Sequence, residues 1–296
     1  MNDAHAAHGS ERARRDLHWL LAHSPIVSGA SQANLGWLAT AHLKELRSDL
    51  EGVIDTLSDQ ALEAALQERR SGRYFEALVV ALLRGSQRFE VLAHDLQVRE
   101  DKRTVGAFDV VLRDLQQDVH IHLELAFKQY LHRKGDPTLM HNWVGPRGRD
   151  RLDLKYSHMQ ERQLQLGATP AGQSCLRSLG VQHYQRWALM AGRLFLPWES
   201  FRHGPRPDLP AHCEPNVEWG WWMGAAQRQT LENLEHKPRL LSPRWALAPL
   251  QPEDCGALPA YDGQLVDAQL GRGVPVLVAV IDDSSELSRG WIVPEV

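Results

Sequence analysis

The stretch VHIHLELAFK, residues 119–128, alternates apolar and polar side chains almost without fault. Val119, Ile121, Leu123, Leu125 and Phe127 share one face at the two-residue period of an extended strand. His120, His122, Glu124, Ala126 and Lys128 share the other. GAFDVVLRD, residues 106–114, repeats the pattern, with Phe108, Val110 and Leu112 on one face and Asp109, Val111 and Arg113 on the other. Only the polar tetrapeptide LQQD separates the two runs. Two alternating runs joined by a short polar loop predict an antiparallel hairpin. A loop of four residues, an even number, brings Asp109 opposite Glu124.

Helical signals surround this hairpin. Residues 1–10 read as frayed. RARRDLHWLLAHSP predicts a short amphipathic helix ending near Pro25, and SDLEGVIDTLSDQALEAAL is helix-rich, with Ser and Asp available as caps. In ERRSGRYFEALVVALLRGS, apolar residues from Tyr74 to Leu83 surround nearly the whole helix, which predicts burial, and Gly85 is a stop signal. Glu76 lies inside this run, on the face of Val79, Val80 and Leu83. A buried carboxylate needs a cation or donor, so Glu76 should meet one. RFEVLAHDLQVRE has strand character, RLDLKYSHMQERQLQL reads as a helix, and VPVLVAVI reads as a late strand. The sum is an α/β fold, a mixed sheet flanked by helices. It divides into a helical N-terminal region (1–69), a core (70–170) and a Trp-rich mixed α/β extension (171–296) that either stands alone or packs on the core.

Composition narrows the function. Of 296 residues, 43% are hydrophobic and 24% charged, as expected of a globular chain, and the net charge is −4. That charge argues against a protein that coats nucleic acid or membranes non-specifically, but leaves room for a local basic strip. The three cysteines, Cys175, Cys213 and Cys255, are far apart and lack zinc-site spacing, which points to reduced thiols in a cytoplasm. No apolar run approaches the length of a membrane helix, and the polar start lacks a signal-peptide core.

The chemistry sits on the polar face of the hairpin. Asp109 and Glu124 are two carboxylates expected side by side, with Lys128 two same-face positions beyond Glu124. Hydrolysis of a phosphodiester needs a hard divalent cation, carboxylates to hold it, and a positive group to orient the nucleophile or stabilise developing charge. Asp109, Glu124 and Lys128 supply the last two, and Glu76 could complete the cation's shell.

A helix with Glu76, a strand with Asp109, a strand with Glu124 and Lys128, and a following helix together resemble the core of the PD-(D/E)XK phosphodiesterase superfamily, which includes restriction endonucleases and repair nucleases. GRYFEALVVALL, GAFDVVL, HLELAFKQYL, GPRGRDRLDLK and the later GWW also resemble an uncharacterised bacterial family, a domain of unknown function grouped with these nucleases. The superfamily motif covers about residues 70–165. The resemblance implies a restriction-endonuclease-like sheet, Mg²⁺ or Mn²⁺ held by Asp109 and Glu124 with Glu76 as the helix carboxylate, Lys128 assisting the attacking water, and DNA or RNA as substrate. The chain departs from the pattern at Ala126, where the usual E-x-K spacing places Lys, so Lys128 must serve from about 6.5 Å further along the strand. Phe108 stands where Pro usually precedes the Asp.

Other features carry weaker signals. His120 and His122 form an HxH on the face of Glu124 without evident further ligands, which suits a hairpin surface or a phosphate contact better than a dedicated metal site. Arg147, Arg149, Arg151 and Lys155 form the best basic strip for a nucleic-acid backbone; its bland alternative is pairing with Asp150, Asp153 and Glu161. Gln160 and Gln163 resemble a glutamine that some recombination nucleases place beside the site. Most tryptophans are expected in packing, with a few available to stack on bases. Two further readings stay open: a non-cleaving nucleic-acid-binding module, and a protein-interaction subunit using the Trp-rich part.

Overall fold

A computed structural model describes residues 3–28, 35–283 and 285–294. Four helices come first: α1 (Asp3–Ala22), α2 (Thr40–Thr56), α3 (Asp59–Gln67) and α4 (Ser71–Gly85), with the short strand β1 (Leu35–Trp37) between α1 and α2. The expected fraying at residues 1–10 is corrected. The backbone is helical from Asp3, and residues 1 and 2 lie outside the described set. Ser58 caps α3 by accepting the N–H of Ala61, and α4 ends at Gly85 as its sequence predicts.

Three antiparallel strands follow: β2 (Phe89–Glu100), β3 (Arg103–Asp114) and β4 (Val119–His132). The β3–β4 loop has the expected four residues, with Asp114 facing Val119. Asp114 shapes this loop by accepting the N–H groups of Gln116 and Gln117 at 2.9 and 3.2 Å, and Arg88 holds it in turn. A two-residue strand, β5 (Trp143–Val144), pairs with the end of β4. The RLDLKYSHMQERQLQL segment is not one continuous helix. It is α5 (Leu152–His158) followed by a π-helical turn over Met159–Gln163, closed by Leu164 N–H donating to the carbonyl of Met159.

After α6 (Pro170–Ser178), strand β6 (Tyr184–Pro197) lies parallel to β4. The rest comprises α7 (Trp198–His203), β7 (Glu218–Gly224), α8 (Gln229–Glu232), β8 (Lys237–Leu241), α9 (Gly263–Leu270), β9 (Val276–Ile281) and β10 (Glu286–Val293). One sheet, in the order β2-β3-β4-β6-β7-β10-β9-β8 with β1 on β6 and β5 on β4, runs through all of it. Strands β4, β6, β7 and β10 are mutually parallel in that order, and antiparallel strands flank them on both sides.

Both sheet faces are covered. Ile121, Leu123, Leu125 and Phe127 pack with α1–α4 as the alternation requires. The opposite face of β4 is also closed, because Ala126 and Tyr130 pack with Leu152, Met159 and Leu164. Strands β9 and β10 pack with Trp198 of α7, Leu231 of α8 and Val266 of α9. Trp37, Trp143 and Trp221 are fully buried, in line with a packing role for most tryptophans.

Buried ions tie the two ends of the chain together. Arg12 of α1 donates to the carbonyls of Ala248 and Pro249 and pairs with Asp16 and Asp254. Arg289 of β10 is clamped by Glu286 and donates to carbonyls from Trp245 to Ala248. Arg193 of β6 pairs with Glu218 of β7, which also accepts from Trp19 of α1. Each buried guanidinium has a carboxylate, which is the condition for keeping it charged at low cost.

Among the described residues no helix is long and apolar enough to cross a membrane.

Candidate active site

The sheet forks at the carboxylates. β3 and β4 pair from Asp114↔Val119 to Val110↔Leu123 and then part. Beyond the fork β3 continues against β2 alone, down to Arg103, while β4 continues against β6 as far as Leu131. Asp109 and Glu124 occupy the first position past the last β3–β4 pair. The parting also displaces Phe108. Alternation along β3 places it with Val110 and Leu112, but it joins Val98 and Val111 instead and sets its ring edge on His122, 4.7 Å between centroids.

Gly192 lets β6 follow β4 past the fork. Its φ is +144°, and a Cβ there would fall 1.7 Å from the carbonyl oxygen of Lys128, so only glycine fits.

The carboxyls of Asp109 and Glu124 are hydrogen-bonded to one another. Asp109 Oδ2 also accepts the backbone N–H of Leu125 at 2.9 Å, which locks the side chain toward β4. Burial, followed by the charge of Glu124, pushes Asp109 up to about 7. Burial likewise pushes Glu124 up to about 7, even though several hydrogen bonds and Lys155 favour its charged form. Two desolvated carboxyls in contact hold one proton between them near neutrality unless a cation replaces it.

Glu124 is fully buried and held on both oxygens. Oε1 meets His122 Nε2 at 2.6 Å, and Oε2 accepts from the Nε2 amide of Gln163. His122 is therefore neither a hairpin-surface residue nor a phosphate contact. It is wholly buried, and burial lowers it to about 4, so the ring is neutral at pH 7. The alternation suggested an exposed polar face, but α5 and α6 cover that face. His120 lies apart from His122, on a surface groove with His183 and Tyr184.

Glu76 points to the same region. Burial and the charge of Asp109 raise its carboxyl, while Arg73 and His94 oppose the rise. Arg73 Nη1 lies 3.1 Å away and His94 Nε2 3.3 Å, and both are partners the sequence did not reveal. Glu76 thus meets the expected cation, but within the protein. Among the described residues no three His, Cys, Asp or Glu side chains form a ready-made metal cage.

The two lysines have different surroundings. Lys128 is engaged at the rim by Asp150, which Tyr130 also approaches. Lys155, expected on the nucleic-acid strip, turns inward. Burial and nearby Lys128 lower its pKa, against the fields of Asp109, Glu124 and Asp150. Its Nζ donates to Gln163 Oε1 at 2.8 Å, so one amide links Lys155 to Glu124. The π-helical turn delivers Gln163 to this position. The signal for Lys155 was present in sequence: Leu152, Lys155 and Met159 fall on one helix face, and both apolar members are fully buried.

The rest of the strip divides. Arg151 is exposed and spent on Asp153, the bland pairing weighed above. Arg147 and Arg149 are exposed on the loop between β5 and α5. They line a cleft of about 520 Å³ together with Lys128 and Asp150.

No curated protein and no solved structure matches the chain. A family model described as a domain of unknown function (DUF1853) matches residues 15–293, nearly the whole chain, and the protein belongs to that family.

Proposed function

We propose that this protein is a divalent-metal-dependent phosphodiesterase of PD-(D/E)XK type that cleaves DNA or RNA, with Asp109 and Glu124 as the metal ligands. One observation carries the reading: two buried carboxyls in contact at a fork of the sheet, both raised to about 7, with a half-buried lysine beside them. Such a pair is costly to keep as two bare anions and suits a hard cation with oxygen ligands. The succession of helix, three antiparallel strands, helix and parallel strand, from α4 to β6, supports the superfamily likeness read from the sequence.

Mg²⁺ or Mn²⁺ fits the Asp109–Glu124 pair, and when bound it supplies a Lewis acid and lowers the pKa of water. The chain's own residues do the rest. His122 and Gln163 fix both oxygens of Glu124. Lys155, rather than Lys128, orients the attacking water or offsets charge developing on the phosphate. Lys128, Arg147 and Arg149 form the approach for the sugar–phosphate backbone. Glu76 stays with Arg73 and His94 and acts on the site through its field on Asp109.

The second reading is a nucleic-acid-binding module without chemistry. It is favoured by Ala126 in place of the usual lysine and by the engagement of Lys128 with Asp150. The experiment that separates the two uses end-labelled single- and double-stranded DNA and RNA, incubated with purified protein in Mn²⁺ or in EDTA. Cleavage in Mn²⁺ only, lost in Asp109→Asn, supports catalysis. Intact substrates that nevertheless bind favour the module.

A further inference from the structure

We infer that the cleft beside Lys128 and Asp150 receives an unpaired nucleotide next to the scissile phosphate, which makes a strand with single-stranded character the substrate class. This inference rests on the phosphodiesterase reading above and adds the form of nucleic acid.

The cleft holds about 520 Å³, within the roughly 300–1,000 Å³ range of small-molecule sites. It is bounded by unlike walls. On one side are Arg147 and Arg149, exposed and without a carboxylate partner among the described residues, together with Lys128. On the other are Leu241, Leu277 and Trp291 from the far end of the sheet. The sheet curls enough for β10 to return to β4, with Trp291 Nε1 donating to Gln129 Oε1 at 2.8 Å. That bond fixes the orientation of the Gln129 amide and leaves its Nε2 a buried donor without a partner. The N-terminus of the 15-residue helix α4 also reaches the cleft, at Ser71, and its dipole favours an anion there.

A paired duplex cannot use such a space, because its bases are stacked inside and only backbone and groove edges face outward. A strand with free bases can use both walls at once. Its phosphates meet Arg147, Arg149 and Lys128, and one base enters among Leu241, Leu277 and Trp291, as in single-strand sites built from cationic grooves and aromatic platforms. Lys128 and Asp150 line the cleft and act on Lys155, as Asp109 and Glu124 do, so a base seated in the cleft brings the adjoining phosphate toward the carboxylate pair.

The test uses the full chain and labelled 12-nucleotide single strands of DNA and RNA, with a blunt duplex of the same sequence. Binding is measured in EDTA so that cleavage plays no part. The wild-type protein should bind a single strand more tightly than the duplex. Arg147→Ala/Arg149→Ala should weaken binding and lower the salt slope by about 1.4, the expectation for two single-strand phosphates. Val274→Trp fills the cleft from a loop position outside any helix or strand, and should weaken single-strand binding about 5- to 150-fold, the range for one stacked base. Its thermal melt should be unchanged. Equal affinity for single strand and duplex, or undiminished single-strand binding by folded Val274→Trp, overturns the inference. Cleavage in Mn²⁺ is scored separately. A wild type that cleaves while Val274→Trp binds and cleaves single strands unchanged leaves the phosphodiesterase reading standing and removes the cleft. A wild type that does not cleave but loses single-strand binding on Val274→Trp does the reverse.

Discussion

The carboxyl of Asp109 is hydrogen-bonded to that of Glu124, and burial lifts both to about 7, with the charge of Glu124 adding to the rise at Asp109. A cation entering this pair must displace the proton it holds. Divalent-metal binding should therefore release a proton near pH 7 and weaken by up to about tenfold per pH unit below it. Calorimetric titration of Mn²⁺ at pH 6 and pH 8, in buffers of differing ionisation enthalpy, measures both quantities. Affinity independent of pH would place the ion elsewhere.

The lysines should separate kinetically. Lys155 stands beside the carboxylates through Gln163, whereas Lys128 stands at the rim with Asp150. Lys155→Ala should lower kcat by about 10²–10³, the loss typical of one oriented electrostatic group. Lys128→Ala should act mainly through a raised KM that worsens with salt. Steady-state kinetics on an oligonucleotide substrate decides between them. A larger kcat loss from Lys128→Ala would restore the role the sequence alone gives to it.

Asp109→Asn should stabilise the metal-free fold at high pH. The folded pKa of Asp109 lies above its ordinary value, so its cost appears as pH rises from about 4 to about 7 and is complete above that. The amide avoids the cost and can still accept from Leu125. In EDTA at pH 8 the variant should melt about 2 °C or more above wild type, with a smaller gain at pH 5. Scanning calorimetry at the two pH values checks the sign. Destabilisation at pH 8 would mean that the carboxylate is already compensated within the protein.

Glu218 runs the opposite way. Burial raises it, but Arg193, His23 and Trp19 outweigh burial and hold it at about 2. Its contribution is present above about 4.5 and lost as pH falls toward 2. Glu218→Gln strands the fully buried Arg193 and should cost about 3–5 kcal/mol, and the thermal melt should fall by about 6–10 °C. A neutral effect on the melt would show that Arg193 is compensated by other groups.

Much of this arrangement was legible in the sequence, because period-2 alternation and loop length are local properties. They set the hairpin, its register and the juxtaposition of Asp109 with Glu124. Helix α4 and its stop at Gly85 were legible for the same reason. What was not legible depends on non-local covering. The face carrying His122 and Glu124 alternates like a solvated one, yet α5 and α6 close over it. The parting of β3 from β4 cannot be read from either strand alone, and it moves Phe108 to the other face. The π-helical turn that carries Gln163 to Glu124 has no compositional mark. The Trp-rich segment read as mixed strands and loops, but its place in the same sheet depends on β6 lying parallel to β4, a pairing of residues some 60 positions apart.

If Asp109 and Glu124 together hold the cation, a crystal soaked in Mn²⁺ at pH 8 and measured for anomalous scattering will locate it between them. One strong peak is expected within ligand distance, about 2.0–2.6 Å, of a carboxyl oxygen from each residue, absent in Asp109→Asn. A crystal with no peak at this pair, or with its ordered ion at His120 and His183 instead, would contradict that assignment.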